Sequence, residues 1–210
     1  MATIKVNLFV KRIIDILGSS LGLVLLSPLL VFVIIFIKVT MPGPILFKQE
    51  RVGRNMKIFH ILKFRTMRVD IDAEKGFDFT QDKDRLTCTG KLLRRIKIDE
   101  LPQLINVFLG DMSLVGPRPT IKMQVDNYND YQMQRLSMRP GMTGLAQVNG
   151  NSMLPWEQRI QYDIEYLHKF SVIVDLKILL KTVGIILLGE EKFFKKTNEW
   201  RAVKNLTIFK

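Results

Sequence analysis

Asp99 and Glu100 are adjacent carboxylates set between a cluster of cations and a Gly/Pro/Arg turn. The segment runs Arg94-Arg95-Ile96-Lys97-Ile98-Asp99-Glu100-Leu101-Pro102-Gln103 and continues through Asn106 and Gly110-Asp111-Met112-Ser113 to Val115-Gly116-Pro117-Arg118-Pro119. In a strongly basic chain, such a pair suits chemistry at a metal-bound phosphoanhydride. One carboxylate can attack or assist proton transfer, while the other holds a divalent ion. Arg118 sits on a turn stiffened by prolines, and a guanidinium matches phosphate oxygens through two parallel hydrogen bonds. The plainer alternative is a helix cap at Asp99, a solvated Glu100 and an ordinary surface arginine. A second candidate region, Arg139-Pro140-Gly141-Met142-Thr143-Gly144-Leu145-Ala146-Gln147-Val148-Asn149, is rich in glycine and amide side chains. There Gln147 and Asn149 could read a nucleobase or sugar hydroxyls, with glycines allowing close approach of backbone to a ligand. A turn-rich strand connection accounts for the same pattern.

The element that must position the pair is a short amphipathic helix. Leu101, Leu104, Ile105 and Phe108 fall at helical spacing, with Asp99 expected as N-cap, Pro102 in the first turn and Gly110 at the end. A helix start favours ionised carboxylates through its dipole and free N–H groups. Before it, Ile45 to Gln49 and Ile58 to Phe64 read as strands of a small sheet, and Val69 to Arg85 as an acidic surface loop. After it, Trp156 to Lys169 reads as a core helix. Val172 to Leu188 is apolar enough either for a core helix or for one lying in a membrane interface.

The N-terminal segment defines the setting. From Ile16 to Ile37 the chain has no charge, about 22 residues that would reach roughly 33 Å as a straight helix. Ser27-Pro28 interrupts this run, and cations flank both ends: Lys5, Lys11 and Arg12 before, Lys38, Lys48, Arg51, Arg54 and Lys57 after. Positive flanks favour the cytoplasmic face, so a re-entrant helix that turns at Ser27-Pro28 satisfies both observations. A kinked spanning helix is the competing reading. The expected fold is α+β and helix-dominated: a re-entrant membrane helix over 1–40, a cytoplasmic catalytic domain over 41–190 with a small β-sheet and amphipathic interfacial helices, and a basic tail over 191–210.

Composition narrows the classes. The 210 residues carry a formal charge of +12, with 47% hydrophobic and 25% charged residues, which excludes a disordered chain and favours an anionic partner. One cysteine, Cys88, excludes an intramolecular disulfide, and two histidines make a zinc site unlikely while leaving Mg²⁺ open. One apolar segment cannot form a multispan bundle. A basic protein binding RNA or anionic lipid would match the charge, but no alternation of basic and aromatic residues supports nucleic acid as a partner.

With these residues in view, the chain resembles the bacterial sugar transferases, monotopic polyprenyl-phosphate phosphoglycosyl transferases of the minimal single-domain type. The resemblance rests on Lys11-Arg12-Ile13-Ile14-Asp15, Ser27-Pro28, Phe47 to Gly53, Lys63-Phe64-Arg65-Thr66-Met67, Asp99 to Gln103, Gly110 to Ser113, Gly116 to Pro119 and Arg139-Pro140-Gly141, in shared order. It implies a helix held on one face of the bacterial inner membrane and a catalytic domain facing the cytoplasm. It further implies a two-step transfer in which Asp99 attacks the β-phosphate of a UDP-sugar, releasing UMP, and undecaprenyl phosphate then displaces Asp99. Direct attack by the lipid in a ternary complex, with Asp99 as base, is the alternative mechanism. Glu100 matches the family residue tied to Mg²⁺, with Asp99 beside it. Arg118 would hold phosphate, with Lys63 and Arg94 as further candidates and Arg139 in the glycine-rich segment. The product would pass to downstream glycosyltransferases of a polysaccharide or glycoconjugate route. Two departures stand out: Leu145 where family members often carry Trp, and Asn151 where they often carry Arg.

Overall fold

The computed structural model describes residues 2–68, 85–190 and 193. The acidic stretch 69–84 and, Phe193 apart, the basic tail 191–210 lie outside the described residues. In chain order the described elements are α1 (Ala2–Thr40), β1 (Leu46–Val52), β2 (Ile58–Phe64), α2 (Cys88–Arg95), α3 (Gln103–Leu109), β3 (Ser113–Val115), α4 (Lys122–Val125), α5 (Asp130–Met133), β4 (Gly141–Thr143), α6 (Leu145–Val148), α7 (Trp156–Lys169) and α8 (Val172–Leu188). Helix dominates, as the sequence indicates, and the two long C-terminal helices have the expected bounds. Short 3₁₀ turns join several of them, one spanning Ile98–Glu100.

The expected break in α1 is not an interruption of its helical backbone, which runs through Pro28. Proline removes the hydrogen bond to the carbonyl four residues earlier, that of Val24. The Ser27 hydroxyl supplies the replacement, donating to Val24 O at 2.7 Å. Pro28 lies on the exposed side of α1. The opposite side, marked by Lys11, Asp15, Gly22, Val33 and Ile37, rests on the rest of the molecule along almost the whole helix. Val33 and Ile37 pack with Phe64 and Leu93, and Leu30 and Ile98 join them. Leu17, Leu21, Val24, Leu25, Phe32 and Ile35 face outward. α8 repeats the pattern: Ile178 and Ile185 are buried while Ile173, Leu176, Leu180, Val183 and Leu187 form an exposed apolar stripe.

Buried polar groups dock α1. Lys11 Nζ donates to Asp175 Oδ2 at 2.6 Å and to the Val115 carbonyl at 2.8 Å, while Tyr166 OH donates to Asp175 Oδ1 at 2.6 Å. One turn later, Asp15 Oδ1 accepts from Ser113 Oγ and Leu114 N, each at 2.9 Å. α1, β3, α7 and α8 are therefore fixed by a shared network that must be satisfied as a unit.

β1 and β2 form an antiparallel hairpin with Phe47 opposite Lys63 and Arg51 opposite Phe59. α3 docks against the outer edge of β2 through Asn106, whose amide donates to His60 O at 2.8 Å and accepts from Leu62 N at 3.0 Å. This docking corrects the amphipathic pattern expected for α3. Gln103, Leu104, Asn106 and Val107 are buried, whereas Ile105 and Phe108 face out, because the polar lock at Asn106 sets the rotation of the helix. β3 and β4 pair in parallel, and their glycines serve that contact: a Cβ on Gly141 would lie 2.1 Å from Gly116 N.

Replacing Asp175 by Ala would leave the Lys11 ammonium buried beside Val115 without its carboxylate. A loss of about 3–5 kcal/mol is expected, read as a lowered unfolding transition of the purified protein in detergent.

Candidate active site

The acid pair lies on the 3₁₀ turn that precedes α3, not at the cap of α3 itself. Lys97, in the left-handed conformation at φ 59°, reverses the chain after α2 and starts this turn. Pro102 takes the cap position, and the Asp99 side chain caps nothing. Gly110 ends α3 at φ 92°, as its residue type foretells.

The two carboxylates have opposite surroundings. Glu100 Oε1 accepts from Lys63 Nζ at 2.6 Å and from Arg118 Nη2 at 3.0 Å. Burial works against the charged form of Glu100, but Arg118 and Lys63 outweigh it and pull its pKa down to about 2. Asp99 is buried, its Oδ1 is sealed from solvent, and it accepts no hydrogen bond from a described residue. Its pKa is raised, first by burial and then by the negative charge of Glu100; Lys63, Arg94 and Lys97 pull the other way. Helix-end stabilisation of both anions was expected; here desolvation prevails for Asp99 because its carboxylate is removed from water without donors to replace it. The result is a strongly ionised Glu100 beside a more basic, hydrogen-bond-starved Asp99.

The supporting elements explain this division. Register in the hairpin aims Lys63 from β2 at Glu100, and Asn106 holds α3 in place against that strand. Arg135 holds the Arg118 turn by donating to the Arg118 carbonyl at 2.8 Å, and it also binds buried Asp163. Arg94 Nε donates to Thr66 Oγ1 at 3.0 Å, so its charge reaches Asp99 while its side chain links α2 to the end of β2.

Lys63, Arg94 and Arg118 thus converge on the pair. Arg139 does not: its Nε donates to the Gly110 carbonyl at 2.9 Å, at the opposite end of α3. The chain folds Arg139-Pro140-Gly141 against Gly116-Pro117, which carries it away from the carboxylates. Gln147 is buried on α6, and neither of its amide atoms has a partner among the described residues; Asn149 Oδ1 accepts from Lys181 Nζ at 3.5 Å, and neither side chain bonds the pair. Arg51, read from sequence as a cation flanking the membrane segment, belongs instead beside the acid pair. Burial, followed by repulsion from Arg118, lowers its pKa to about 10, with Glu100 opposing, which places it in the same electrostatic cluster. The signal was alternation along β1, which sets Phe47, Gln49 and Arg51 on one face opposite Lys63, Ile61 and Phe59.

Asp99 and Glu100 are the groups at this site able to hold a cation. Among the described residues no cluster of three or more His, Cys, Asp or Glu could form a metal cage. An adjacent pair with one unpartnered oxygen fits a hard ion that keeps water and takes its remaining ligands from substrate phosphate, the usual habit of Mg²⁺.

Fold and site together define a class: an α+β protein in which cations and an acid pair are set against a domain that carries, among the described residues, one helix long and apolar enough to cross a membrane. The comparisons agree. The model of the bacterial sugar transferase family matches residues 6–189. The chain is 40% identical over 87% of its length to the uncharacterised sugar transferase EpsL of Bacillus subtilis, of which it spans 90%. It is also 40% identical to galactosyl transferase CpsE of Streptococcus agalactiae, covering 87% of this chain and 43% of that one. A third relative, UDP-glucose:undecaprenyl-phosphate glucose-1-phosphate transferase of Klebsiella pneumoniae, is 40% identical over 85% of this chain and 40% of its own. The chain spans less than half the length of the latter two. It belongs to the bacterial sugar transferase family.

Lys97 supplies one of the charges that pull the Asp99 pKa down, so Lys97→Met should raise it further. A raised carboxyl pKa favours the folded state at low pH: that contribution is full below the ordinary value of 3.8 and is lost as pH rises through the folded value. A ¹³C NMR titration of the Asp99 carboxyl checks the direction. An unchanged or lowered value in the variant would contradict this electrostatic account.

Proposed function

We propose that the protein transfers a sugar 1-phosphate from a UDP-sugar to undecaprenyl phosphate, giving undecaprenyl diphosphosugar and UMP. The observation that carries this reading is the division of labour in the acid pair: Glu100 is occupied by Lys63 and Arg118, while buried Asp99 has no donor among the described residues. In the first step an Asp99 oxygen attacks the β-phosphorus of the donor. The bond from that phosphorus to the bridging oxygen breaks, and UMP departs with the oxygen and its electron pair. In the second, an oxygen of the lipid phosphate attacks the same phosphorus, and the bond to Asp99 breaks to restore the carboxylate. Lys63 and Arg118, which bond Glu100, would offset charge on the phosphoryl oxygens, and Arg51 and Arg94 would add to the positive field. Bound through Glu100, Asp99 and the diphosphate, Mg²⁺ would supply Lewis-acid stabilisation of the leaving group. The names of the relatives include both galactosyl and glucose-1-phosphate transfer, so the donor sugar rests on contacts beyond the acid pair.

Wild-type protein with Mg²⁺, a UDP-sugar panel and undecaprenyl phosphate should release UMP from at least one donor, and Asp99→Asn should release none. Trapping of a sugar phosphate on Asp99 in the absence of lipid would favour the two-step route over direct attack with Asp99 as base. Full activity of Asp99→Asn would remove Asp99 from the reaction.

The same reading places the catalytic domain on the cytoplasmic face of the bacterial inner membrane, with α1 re-entrant. One side of α1 stays on the domain from Lys11 to Ile37, and a crossing helix would have to pull Lys11 out of its bonds to Asp175 and Val115. Exposed Pro28 sits where an outward bend would point into lipid. In a Cys88→Ser background, single cysteines at Asn7 and Lys48 should react with an impermeant maleimide from the same side of sealed vesicles. Labelling from opposite sides would establish a spanning helix instead. The lipid product would then be the acceptor for glycosyltransferases that extend the glycan.

A further inference from the structure

The C-terminal end of α3 borders a cleft that the proposed transfer does not use. It has a volume of about 220 Å³ and is walled by Arg54, Asn55, Lys57, Gly110, Asp111 and Arg139. α3 has seven residues, so roughly 10 Å of helix separates this cleft from the acid pair. The cavity is smaller than those that enclose drug-sized ligands, and suits a compact polar group.

Its charges are poorly balanced. Arg139 is pinned to the wall by its bond to the Gly110 carbonyl, and on the other side of Gly110 the Arg12 guanidinium donates to Val107 O at 2.7 Å and Phe108 O at 2.8 Å. Among the described residues Arg54 and Arg139 have no carboxylate partner, and Lys57 approaches Asp111 only to 3.8 Å. Burial lowers the Arg139 pKa, and repulsion from Arg12 and Arg54 lowers it further, with only Asp15 in opposition. Cations crowded in a cleft raise the local positive potential, and an anion with several acceptor oxygens relieves it.

The rim indicates where that anion comes from. Asn55 and Met56 turn the β1–β2 hairpin with φ of 52° and 65°, closed by Lys57 N donating to Arg54 O at 3.2 Å. A hairpin turn with two positive φ values normally takes glycine at the second position. Here a methionine occupies it and is exposed, while Phe108 and Leu109 are exposed on the residues just before Gly110. Cations beside exposed apolar side chains, next to the Arg12 end of the apolar helix, match the boundary between lipid headgroups and acyl chains.

We propose that this cleft is a second anion site, separate from the acid pair, that binds a phosphate group. The proposal rests on the cleft and not on the transfer reaction. A lipid headgroup and a soluble phosphate share that chemistry, and the apolar rim favours the headgroup.

The test uses the full chain in an uncharged detergent, in an Arg118→Gln background so that phosphate binding at the acid pair is weakened. Inorganic phosphate, short-chain phosphatidylglycerol and short-chain diacylglycerol are titrated separately by calorimetry. Adding Arg54→Gln and Lys57→Gln should weaken binding of the phosphate-bearing probes about tenfold or more, the loss expected when charge-assisted hydrogen bonds go. The charge-preserving pair Arg54→Lys and Lys57→Arg should retain most of it; both residues are exposed, so neither change disturbs the core. Tighter binding of phosphatidylglycerol than of inorganic phosphate supports a headgroup site, and the reverse order supports a soluble phosphate. Equal affinity in the neutralised variant, or diacylglycerol binding as tightly as phosphatidylglycerol, would overturn the proposal.

Discussion

The site depends on Glu100 being held between Lys63 and Arg118. Both cations converge on a single oxygen, and their attraction exceeds the penalty of burying the carboxylate. That negative charge, once fixed, raises the pKa of its neighbour, and among the described residues Asp99 receives no compensating donor. Two residues of nearly identical chemistry thereby become different groups. Each hydrogen bond to a carboxylate stabilises its anion, so donors around Asp99 would lower its pKa. The pairing of Glu100 with the cations therefore does more than neutralise charge: it keeps Lys63 and Arg118 from capping Asp99.

Holding that geometry requires elements distant in sequence. Lys63 comes from a hairpin, Arg118 from a proline-bounded turn, and the pair from a 3₁₀ turn. Asn106 and Arg135 lock these pieces together, the first by bonding the exposed edge of β2 and the second by bonding the Arg118 backbone. Both are buried polar groups whose removal would leave partners unsatisfied, so the site is rigid for the same reason that it is costly to disturb. The chain at Gly116 and at Gly141 packs backbone on backbone, which explains the recurrence of glycine beside proline without invoking a ligand.

The long helix is tied to the same framework from beneath. Its inward stripe begins with charge, at Lys11 and Asp15, and continues with aliphatic residues at Val33 and Ile37. The polar end is specific, because among the described residues Asp175, Tyr166, Ser113 and the β3 backbone are the groups that bond the Lys11 and Asp15 side chains. The apolar end is a packing surface against Phe64, Leu93 and Ile98, one residue from Asp99. Position of the helix and position of the acid pair are thus linked through shared neighbours.

Several features were legible in the residues alone because they are decided locally. The charge-free run announces an apolar helix, the short apolar run Ile58 to Phe64 gives a strand, Gly110 ends α3, and the serine before Pro28 bonds the carbonyl that the proline frees. Each depends on neighbours within about one helical turn or one strand. The tertiary structure decided the rest. It turned Ile105 and Phe108 outward, moved Arg139 to the far end of α3, brought in Arg51 and left Gln147 in the interior. It also reversed the expected ionisation preference of Asp99, since helix-end effects reach only one turn whereas burial and opposing charges are assembled from residues remote in the chain. Residue type determined that an acid pair and its cations were present; desolvation and the docking of β2, α3 and the Arg118 turn determined which carboxylate is paired and which is left bare.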